Sequence, residues 1–184
     1  MNQFKRRITG LIICGFPGVG KSTASALASE CKNYDFNDME SSAYSWIVGF
    51  DGKRTRNPSF PACYVDNIEM NASQYGYPVV LVASHKSVRD EMKKRGIPYI
   101  IVVPDKGLKD EYLLRYVARG SDIDLIEQVY DHWDEWLDEI ETDGAPVIHL
   151  KSGQFLADVI VPEIIRDSLR VASMSGAKGE DGDA

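Results

Sequence analysis

One eight-residue segment restricts what this chain can fold into more than any other. Residues 15–22, Gly-Phe-Pro-Gly-Val-Gly-Lys-Ser, match the pattern G-x-x-x-x-G-K-[ST] in full. An apolar run precedes the segment and a good helix-forming sequence follows it. In a strand–turn–helix of this kind, glycines let successive N–H groups point at phosphate oxygens, and the positive end of the helix adds to the attraction. The segment therefore predicts a phosphate-binding loop (P-loop).

The nucleotide-binding residues are predicted to be those of the loop and the residue after it: Gly15, Phe16, Pro17, Gly18, Val19, Gly20, Lys21, Ser22 and Thr23. Lys21 is expected to reach the β- and γ-phosphates, and Ser22 to ligate Mg²⁺ through its hydroxyl. ATP and Mg²⁺ are thus the predicted cofactors, although no motif distinguishes ATP from GTP. A glycine-rich turn without a ligand is the alternative, which the strand–loop–helix context disfavours.

Apolar, β-rich runs alternate with segments of helical spacing along the chain. Strands are predicted at 8–14, 34–36, 79–83, 99–103 and 147–150, and helices at 21–31, 41–48, 62–75, 86–95, 107–119, 121–141 and 154–170. Two of the strand runs are almost entirely apolar, as in a parallel sheet that is covered on both faces. We expect an α/β fold in a single domain over 1–172, followed by a tail over 173–184 whose small and charged residues predict disorder.

The helix at 121–141 has the clearest pattern. Apolar residues recur at intervals of three and four, which predicts one buried stripe. Trp133 and Trp136 are interpreted as packing residues of this helix rather than as ligand contacts.

The net charge of the chain limits the classes of partner that it attracts. A formal net charge of −7 gives no general attraction to nucleic acid or to anionic lipid, although a local basic groove remains compatible with it. No stretch reaches the length of a membrane span, and no secretory signal is recognisable. A cytoplasmic location is therefore expected, with no membrane partner.

Two carboxylates follow the second predicted strand. Asp38 and Glu40 are two residues apart, so both point to one side if this stretch is extended. A carboxylate in this position can accept the proton of an attacking hydroxyl or hold hydrated Mg²⁺. Asp38 is the leading candidate for the base or metal contact, and Glu40 is the second, on the substrate side. The alternative is that both cap the next helix.

A segment rich in arginine and aromatic residues comes next, at 54–64. Arg56 is predicted to bind a phosphate of the acceptor through its forked guanidinium group, and Phe60 or Tyr64 to stack on a base. A solvated loop with its aromatic side chains packed inward is the alternative.

The third strand is followed by Ser84 and His85, and no aspartate is present there to hold Mg²⁺ through water. Ser84 could take that position. His85 lies at the carboxyl edge of the predicted sheet, where ligands bind in open α/β folds, and Arg89 in the next helix could face the same crevice. Both are predicted to bind substrate; a hydrogen-bonded structural histidine is the alternative.

Two arginines follow the fourth strand. Arg115 and Arg119 are four residues apart and share one helical face, which suits stabilisation of a transferring phosphoryl group. The flanking Gly107 and Gly120 could permit lid-like motion. The alternative is a pair of surface arginines bonded to acids such as Glu111.

In this order the motifs GFPGVGKS, D-x-E-S-S-x-x-x-W, R-N-P-x-F-P, S-H-x-x-V-R and L-K-x-E-Y-x-x-R-Y-x-x-R-G resemble those of small P-loop kinases of bacteriophages and prophages, which are described as nucleoside- or deoxynucleoside-monophosphate kinase-like. The similarity covers about residues 8 to 156. It implies a five-stranded parallel sheet with helices on both faces, an acceptor site over strands two and three, and an arginine-bearing lid after strand four. It also implies that Lys21, Ser22, Arg115 and Arg119 lie at the phosphates and Arg56 near the acceptor. The missing aspartate after strand three and the shortness of the lid depart from the family pattern.

The residues and the resemblance together predict an ATP-dependent phosphotransferase with a (deoxy)nucleoside monophosphate as acceptor, in the host cytoplasm if the chain is phage-encoded. One alternative is a kinase of 5-hydroxymethyluracil within DNA, whose backbone the basic stretches at 5–7 and 53–56 could follow. Another is a P-loop ATPase or nucleotide switch without an acceptor. The base, the sugar and the oligomeric state stay open.

Overall fold

The computed structural model of the chain describes residues 7–28 and 35–160. Its strands are β1 (Leu11–Gly15), β2 (Phe36–Asp38), β3 (Trp46–Val48), β4 (Arg54–Arg56), β5 (Val79–Ala83), β6 (Ile100–Pro104) and β7 (Val147–Leu150). Its helices are α1 (Lys21–Ala28), α2 (Ser42–Ser45), α3 (Ala62–Ala72), α4 (Lys86–Arg95), α5 (Lys109–Ala118) and α6 (Ile123–Glu141), with a 3₁₀ turn at Lys106–Leu108 and a helical turn over 156–160. None of the described helices is long and apolar enough to cross a membrane.

Five strands form one parallel sheet in the order β2-β5-β1-β6-β7. Gly15 at the end of β1 lies opposite Ala83 of β5 and Val102 of β6. Since all pairs are parallel, the carboxyl ends of these strands share one edge. The P-loop and the segments after β2, β5 and β6 therefore gather at that edge, where ligands of open α/β sheets bind.

The central strands are covered on both faces. Consecutive residues Ile12, Ile13 and Cys14 of β1 are all buried, and so are four consecutive residues of β5. Successive side chains of a strand point to opposite faces, so continuous burial means that both faces are packed. The predicted α/β fold with a five-stranded parallel sheet is confirmed.

The helix α6 anchors one side of this core. Asp122 caps it by accepting a hydrogen bond from the N–H of Asp124 at 3.0 Å. Its buried stripe includes Trp133, whose Nε1 donates to the carbonyl of Lys106 at 2.8 Å. The stripe predicted from the sequence is present, and its indole N–H has the partner that burial requires.

The largest difference from the sequence-based prediction lies at 41–56. The predicted helix at 41–48 is wrong beyond Ser45, because Trp46–Val48 forms strand β3 and pairs antiparallel with Arg54–Arg56. Trp, Ile and Val favour a strand, and the hairpin is closed through a turn that contains Gly49 and Gly52. The helical pattern covers only eight residues, so it does not outweigh these preferences for a strand.

Other boundaries moved by a few residues, and β2 begins two residues later than expected. The tail at 173–184, residues 29–34 of the first predicted helix and second strand, and residues 161–170 of the last predicted helix lie outside the described residues. The segment predicted to act as a lid includes α5, which is packed onto the P-loop by its buried residues Tyr112 and Tyr116.

Candidate active site

The P-loop connects β1 to α1 at the carboxyl edge of the sheet. Gly18 and Gly20 have φ of 80° and 92°, a region that glycine enters without steric cost. The side chains of Phe16 and Val19 are buried in the core, so these two residues face a ligand only through their backbone. The first turn of α1 leaves its N–H groups without helical partners, which makes the loop a concave set of donors suited to phosphate.

Neighbouring elements hold the outer side of this loop. The hydroxyl of Tyr116 donates to the carbonyl of Pro17 at 2.7 Å, and the N–H of Leu156 donates to the carbonyl of Val19 at 2.8 Å. A Cβ on Gly18 would lie 2.7 Å from the ring of Tyr116. The loop is therefore shaped in advance by α5 and by the segment after β7.

Lys21 curls back over the loop. Its Nζ donates to the carbonyl of Gly15 at 2.9 Å. Burial lowers the pKa of Lys21, whereas the nearby carboxylates of Asp38 and Glu40 act in the opposite direction. An ammonium group held over the mouth of the loop can neutralise the phosphates of a nucleotide.

Ser22 and Asp38 form a pair at the floor of the site. The hydroxyl of Ser22 donates to Oδ2 of Asp38 at 2.7 Å. The other oxygen, Oδ1 of Asp38, is buried and has no hydrogen-bond partner among the described residues. A hydroxyl beside a carboxylate with unused acceptor capacity is the set of hard oxygen ligands that Mg²⁺ prefers, so these two residues fit the metal ion that a P-loop implies.

These groups open into one cleft of about 780 Å³. To the P-loop its lining adds residues from β2 and the segment after it, from β4, from the end of β5 with α4, and from the α5–α6 region. Those with polar or aromatic side chains are Asp38, Glu40, Ser41, Arg56, Ser84, His85, Lys86, Arg89, Arg119, Gln128, Trp136 and Glu139. Asp38 and Glu40 both line it, as their two-residue spacing predicts. The structure thus brings together residues from five separate parts of the chain.

His85 stands at the start of α4 and faces the cleft. Its Nε2 lies 3.3 Å from Oγ of Ser41, a buried residue that follows Glu40. Partial burial by the cleft walls lowers the pKa of His85, and the positive charges of Lys21 and Arg56 lower it further. The imidazole is therefore kept neutral near pH 7, where it can donate or accept a hydrogen bond but adds no charge.

Arg56, the last residue of β4, also lines the cleft. Its guanidinium lies 4.8 Å from the centre of the Trp46 ring and 5.7 Å from that of Phe60. Stacking on these rings orients the guanidinium without using its N–H groups, which stay available to a phosphate. Phe60 itself packs on Tyr64 at 6.0 Å and does not line the cleft.

Tyr64 is a core residue. It is fully buried, and its hydroxyl donates to the carbonyl of Met39 at 2.6 Å. It cannot stack on a base, so the inward-packed alternative for Phe60 and Tyr64 describes this segment. Its hydrogen bond nonetheless fixes the backbone between Asp38 and Glu40.

Arg115 in α5 and Arg119 at its C-terminal end have different surroundings. Arg119 lines the cleft, stacked 4.9 Å over the ring of Tyr116, and its Nε donates to Oγ of Ser121 at 2.5 Å. Arg115 does not line the cleft, because it pairs with Glu111 at 2.5 Å and stacks 4.1 Å over Phe155. Of the two arginines predicted to face the phosphates, only Arg119 lines the cleft.

Arg89 reaches the cleft floor but is committed to the protein. It is 1% exposed, donates to the carbonyl of Ser84 at 3.1 Å, and pairs with Glu139 and Asp143. Its role is to join the end of β5 to α6. The sequence predicted that Arg89 binds substrate, but in this structure its guanidinium is already paired and is not a free cation.

Sequence reasoning missed the far wall of the cleft. Leu125, Gln128, Trp136 and Glu139 form a second stripe along α6, beside the buried one. Trp136, interpreted as a packing residue, contacts Phe16 edge-on at 6.3 Å and also lines the cleft. The spacing of 3, 8 and 3 residues fits one helical face, but only the position of α6 shows that this face meets the P-loop.

No protein-family model matches this sequence, and no curated protein does. Among solved structures, a gluconokinase from Sinorhizobium meliloti 1021 superposes with a TM-score of 0.51 at 18% identity, over 95% of this chain and 100% of that one. A shikimate kinase from Aquifex aeolicus VF5 gives a TM-score of 0.47 at 16% identity, over 89% and 98%. At 18% identity the first likeness supports the α/β P-loop fold and says nothing of the acceptor.

Proposed function

We propose that this protein is an ATP-dependent kinase that transfers the γ-phosphoryl group to a nucleotide-like acceptor, specifically a (deoxy)nucleoside monophosphate. The observation that carries the proposal is the convergence of Lys21, the Ser22–Asp38 pair, Arg56 and Arg119 on one cleft. A P-loop alone would suit any nucleoside triphosphatase. Asp38, Arg56 and Arg119 lie outside the loop, and they can bind or activate a second substrate.

The donor side consists of the P-loop amides and Lys21, which neutralise the phosphates of ATP. Ser22 and Asp38 would hold Mg²⁺, which when bound neutralises charge on the β- and γ-phosphates. Arg119 lines the same cleft and is stacked on Tyr116, so it can stabilise charge on the transferring group. In the transfer, an acceptor oxygen forms a bond to the γ-phosphorus, the bond to the β–γ bridging oxygen breaks, and ADP leaves.

The acceptor side offers groups for both parts of a nucleotide. Arg56 is held on the Trp46 ring and its side chain has no hydrogen bond to another residue in the described part of the chain, so its guanidinium N–H groups can bind a phosphate. The α6 wall presents the apolar surfaces of Leu125 and Trp136 together with the amide of Gln128, which could bind the face and the edge of a base. A sugar acid would use the cations but not this wall, and this difference favours a nucleotide.

The proposal is tested with γ-labelled ATP, Mg²⁺ and separate acceptors: each nucleoside, each nucleoside monophosphate, and gluconate. Transfer of label to a nucleoside monophosphate is the expected result. Transfer to gluconate alone would overturn the acceptor assignment, and release of inorganic phosphate regardless of acceptor would support an ATPase instead. Lys21→Ala should lower turnover at least ~100-fold, as expected for loss of a charge-stabilising donor, whereas the exposed control Lys94→Ala should leave it unchanged.

A further inference from the structure

The β3–β4 hairpin, called the ribbon below (residues 46–56), exposes apolar side chains to an unusual extent. Trp46 is 41% exposed and Val48 62%, and Phe50 at the tip is fully exposed. Contiguous exposed apolar side chains on a small domain mark a surface that binds something. The same hairpin carries Lys53, Arg54 and Arg56 against a single acid, Asp51, in a chain whose net charge is −7. The net charge of the hairpin is thus positive, whereas that of the whole chain is negative.

The strand register sorts these side chains onto one face. Trp46 pairs with Arg56, and Val48 with Arg54, so these four residues share a face, while Ile47 and Thr55 lie on the other. The guanidinium of Arg56 stacks on Trp46 and also lines the cleft. The face that carries both arginines therefore begins at the acceptor side of the cleft and continues away from it.

The outer part of this face lies away from the cleft. Val48 and Arg54 are two residues, or about 7 Å along the strands, from Trp46 and Arg56, and Phe50 lies still further out, in the turn that closes the hairpin. Neither Arg54 nor Phe50 lines the cleft, and the side chain of neither makes a hydrogen bond, ion pair or ring contact with another described residue, although the backbone of Arg54 pairs with Val48. A monophosphate held at Arg56 would leave both side chains unused, whereas a chain of several nucleotides would contact them.

We propose that the ribbon is a binding surface for single-stranded nucleic acid, with the terminal nucleotide of the strand placed in the acceptor side of the cleft. Unpaired bases can stack on Trp46 and Phe50, and the phosphates between them can contact Arg54 and Arg56. A duplex would keep its bases stacked on each other and away from these rings. The inference rests on the proposed function only in that the cleft takes a nucleotide as acceptor, and it names an oligonucleotide as a substrate class of the same site.

Binding is measured by fluorescence anisotropy of labelled hexathymidylate, without ATP, over a range of salt concentrations. The double variant Phe50→Ala/Arg54→Ala should weaken binding at least fivefold, about the lower bound for loss of one stacked base. Its salt dependence should also fall, since one phosphate contact contributes a slope of about 0.7 on single strands. The matched control is Tyr75→Ala/Lys94→Ala, which removes an exposed aromatic and an exposed cation outside the cleft lining and should change neither quantity.

A second measurement separates this inference from the proposed function. Phosphorylation of a free monophosphate by Phe50→Ala/Arg54→Ala should proceed at the normal rate, because neither residue lines the cleft. If the double variant phosphorylates the free monophosphate as many times more slowly as it binds hexathymidylate more weakly, the ribbon instead closes over small acceptors. That result would overturn the inference. So would unaltered hexathymidylate binding, or ribbon-dependent binding to phosphatidylglycerol vesicles in its place. Ribbon-dependent strand binding without transfer to any acceptor would support the surface while refuting the kinase.

Discussion

Replacing Gly18 with alanine is expected to destabilise the fold and to weaken ATP binding, for two separable reasons. The first is backbone strain, because Gly18 has a φ of 80° and an L-residue in the left-handed region costs about 1–2 kcal/mol. The second is a collision, because the new Cβ would lie 2.7 Å from Cε1 of Tyr116 and 3.3 Å from Cδ1 of Tyr112. Both rings are fully buried.

The collision cannot be relieved cheaply. Tyr116 donates its hydroxyl to the carbonyl of Pro17 at 2.7 Å, so a shift of the ring weakens a bond worth about 1 kcal/mol. Overpacking of a core typically costs a further 1–3 kcal/mol. Gly144→Ala is the matched control, since its φ is 88° but nothing lies within 4 Å of the added Cβ. Gly18→Ala should therefore lower the free energy of unfolding by about 1–3 kcal/mol more than Gly144→Ala does.

Urea unfolding of both variants checks this difference, and calorimetric titration with ATP checks the loop. ATP binding should weaken in Gly18→Ala and stay normal in Gly144→Ala, because only the former displaces the Pro17–Gly18 peptide. Combining Gly18→Ala with Tyr116→Leu should recover about 1 kcal/mol relative to additivity, as expected for residues in contact. Equal destabilisation by the two glycine variants, with additive behaviour in the double variant, would refute the role assigned to the Tyr116 ring.

Asp38→Asn should lower turnover at least ~100-fold, the scale of a lost acid–base or metal contact, while calorimetry with ATP in the absence of Mg²⁺ shows unchanged binding. Arg89→Met leaves the buried Asp143 with fewer donors and should cost about 3 kcal/mol in urea unfolding; the exposed control Lys86→Met should cost ~0.5 kcal/mol or less. The lowered pKa of His85 means that, just below pH 6.5, the unfolded chain binds more protons than the folded one, so acidification destabilises the fold. Urea unfolding at several pH values should show this loss in the wild type and less of it in His85→Gln.

Each of these outcomes has a contrary result. Normal turnover of Asp38→Asn would remove the carboxylate from the mechanism. If Arg89→Met lowers the free energy of unfolding no more than Lys86→Met does, the buried ion pairs of Arg89 stabilise the fold no more than the apolar contacts of a methionine would. Identical pH profiles for the wild type and His85→Gln would place the titrating group elsewhere.

Much of the fold could be predicted because its determinants are local. The P-loop is contiguous, so the glycines that need positive φ, the lysine and the serine stand next to each other in the sequence. The apolar runs at 79–83 and 147–150 match β5 and β7 residue for residue. In β5 the reason is continuous burial, which leaves a pattern that needs no knowledge of the partner strands. The placement of Asp38 and Glu40 also followed from local reasoning, through the two-residue period of an extended chain.

The destinations of single side chains were decided by tertiary structure. Arg115 and Arg119 share a helical face, yet Glu111 and Phe155 hold the first while the second faces the cleft. Tyr64 lies in the segment rich in arginine and aromatic residues, but in α3 it is buried in the core and its hydroxyl donates to the carbonyl of Met39. In each case a long side chain can reach several partners, and its choice depends on packing distances that sequence spacing does not contain.

The same holds for the ribbon and for the α6 wall. A run of Trp, Ile and Val is compatible with a helix or a strand, and the pairing with Arg54–Arg56 across the turn settled it. Trp136 belongs to an amphipathic helix in either case, and only the docking of α6 beside Phe16 makes it part of a cleft. The sequence by itself determined the position of the proposed phosphate-binding loop, because that loop is built from neighbouring residues. Which side chains line the cleft beside it was decided by the packing of distant elements.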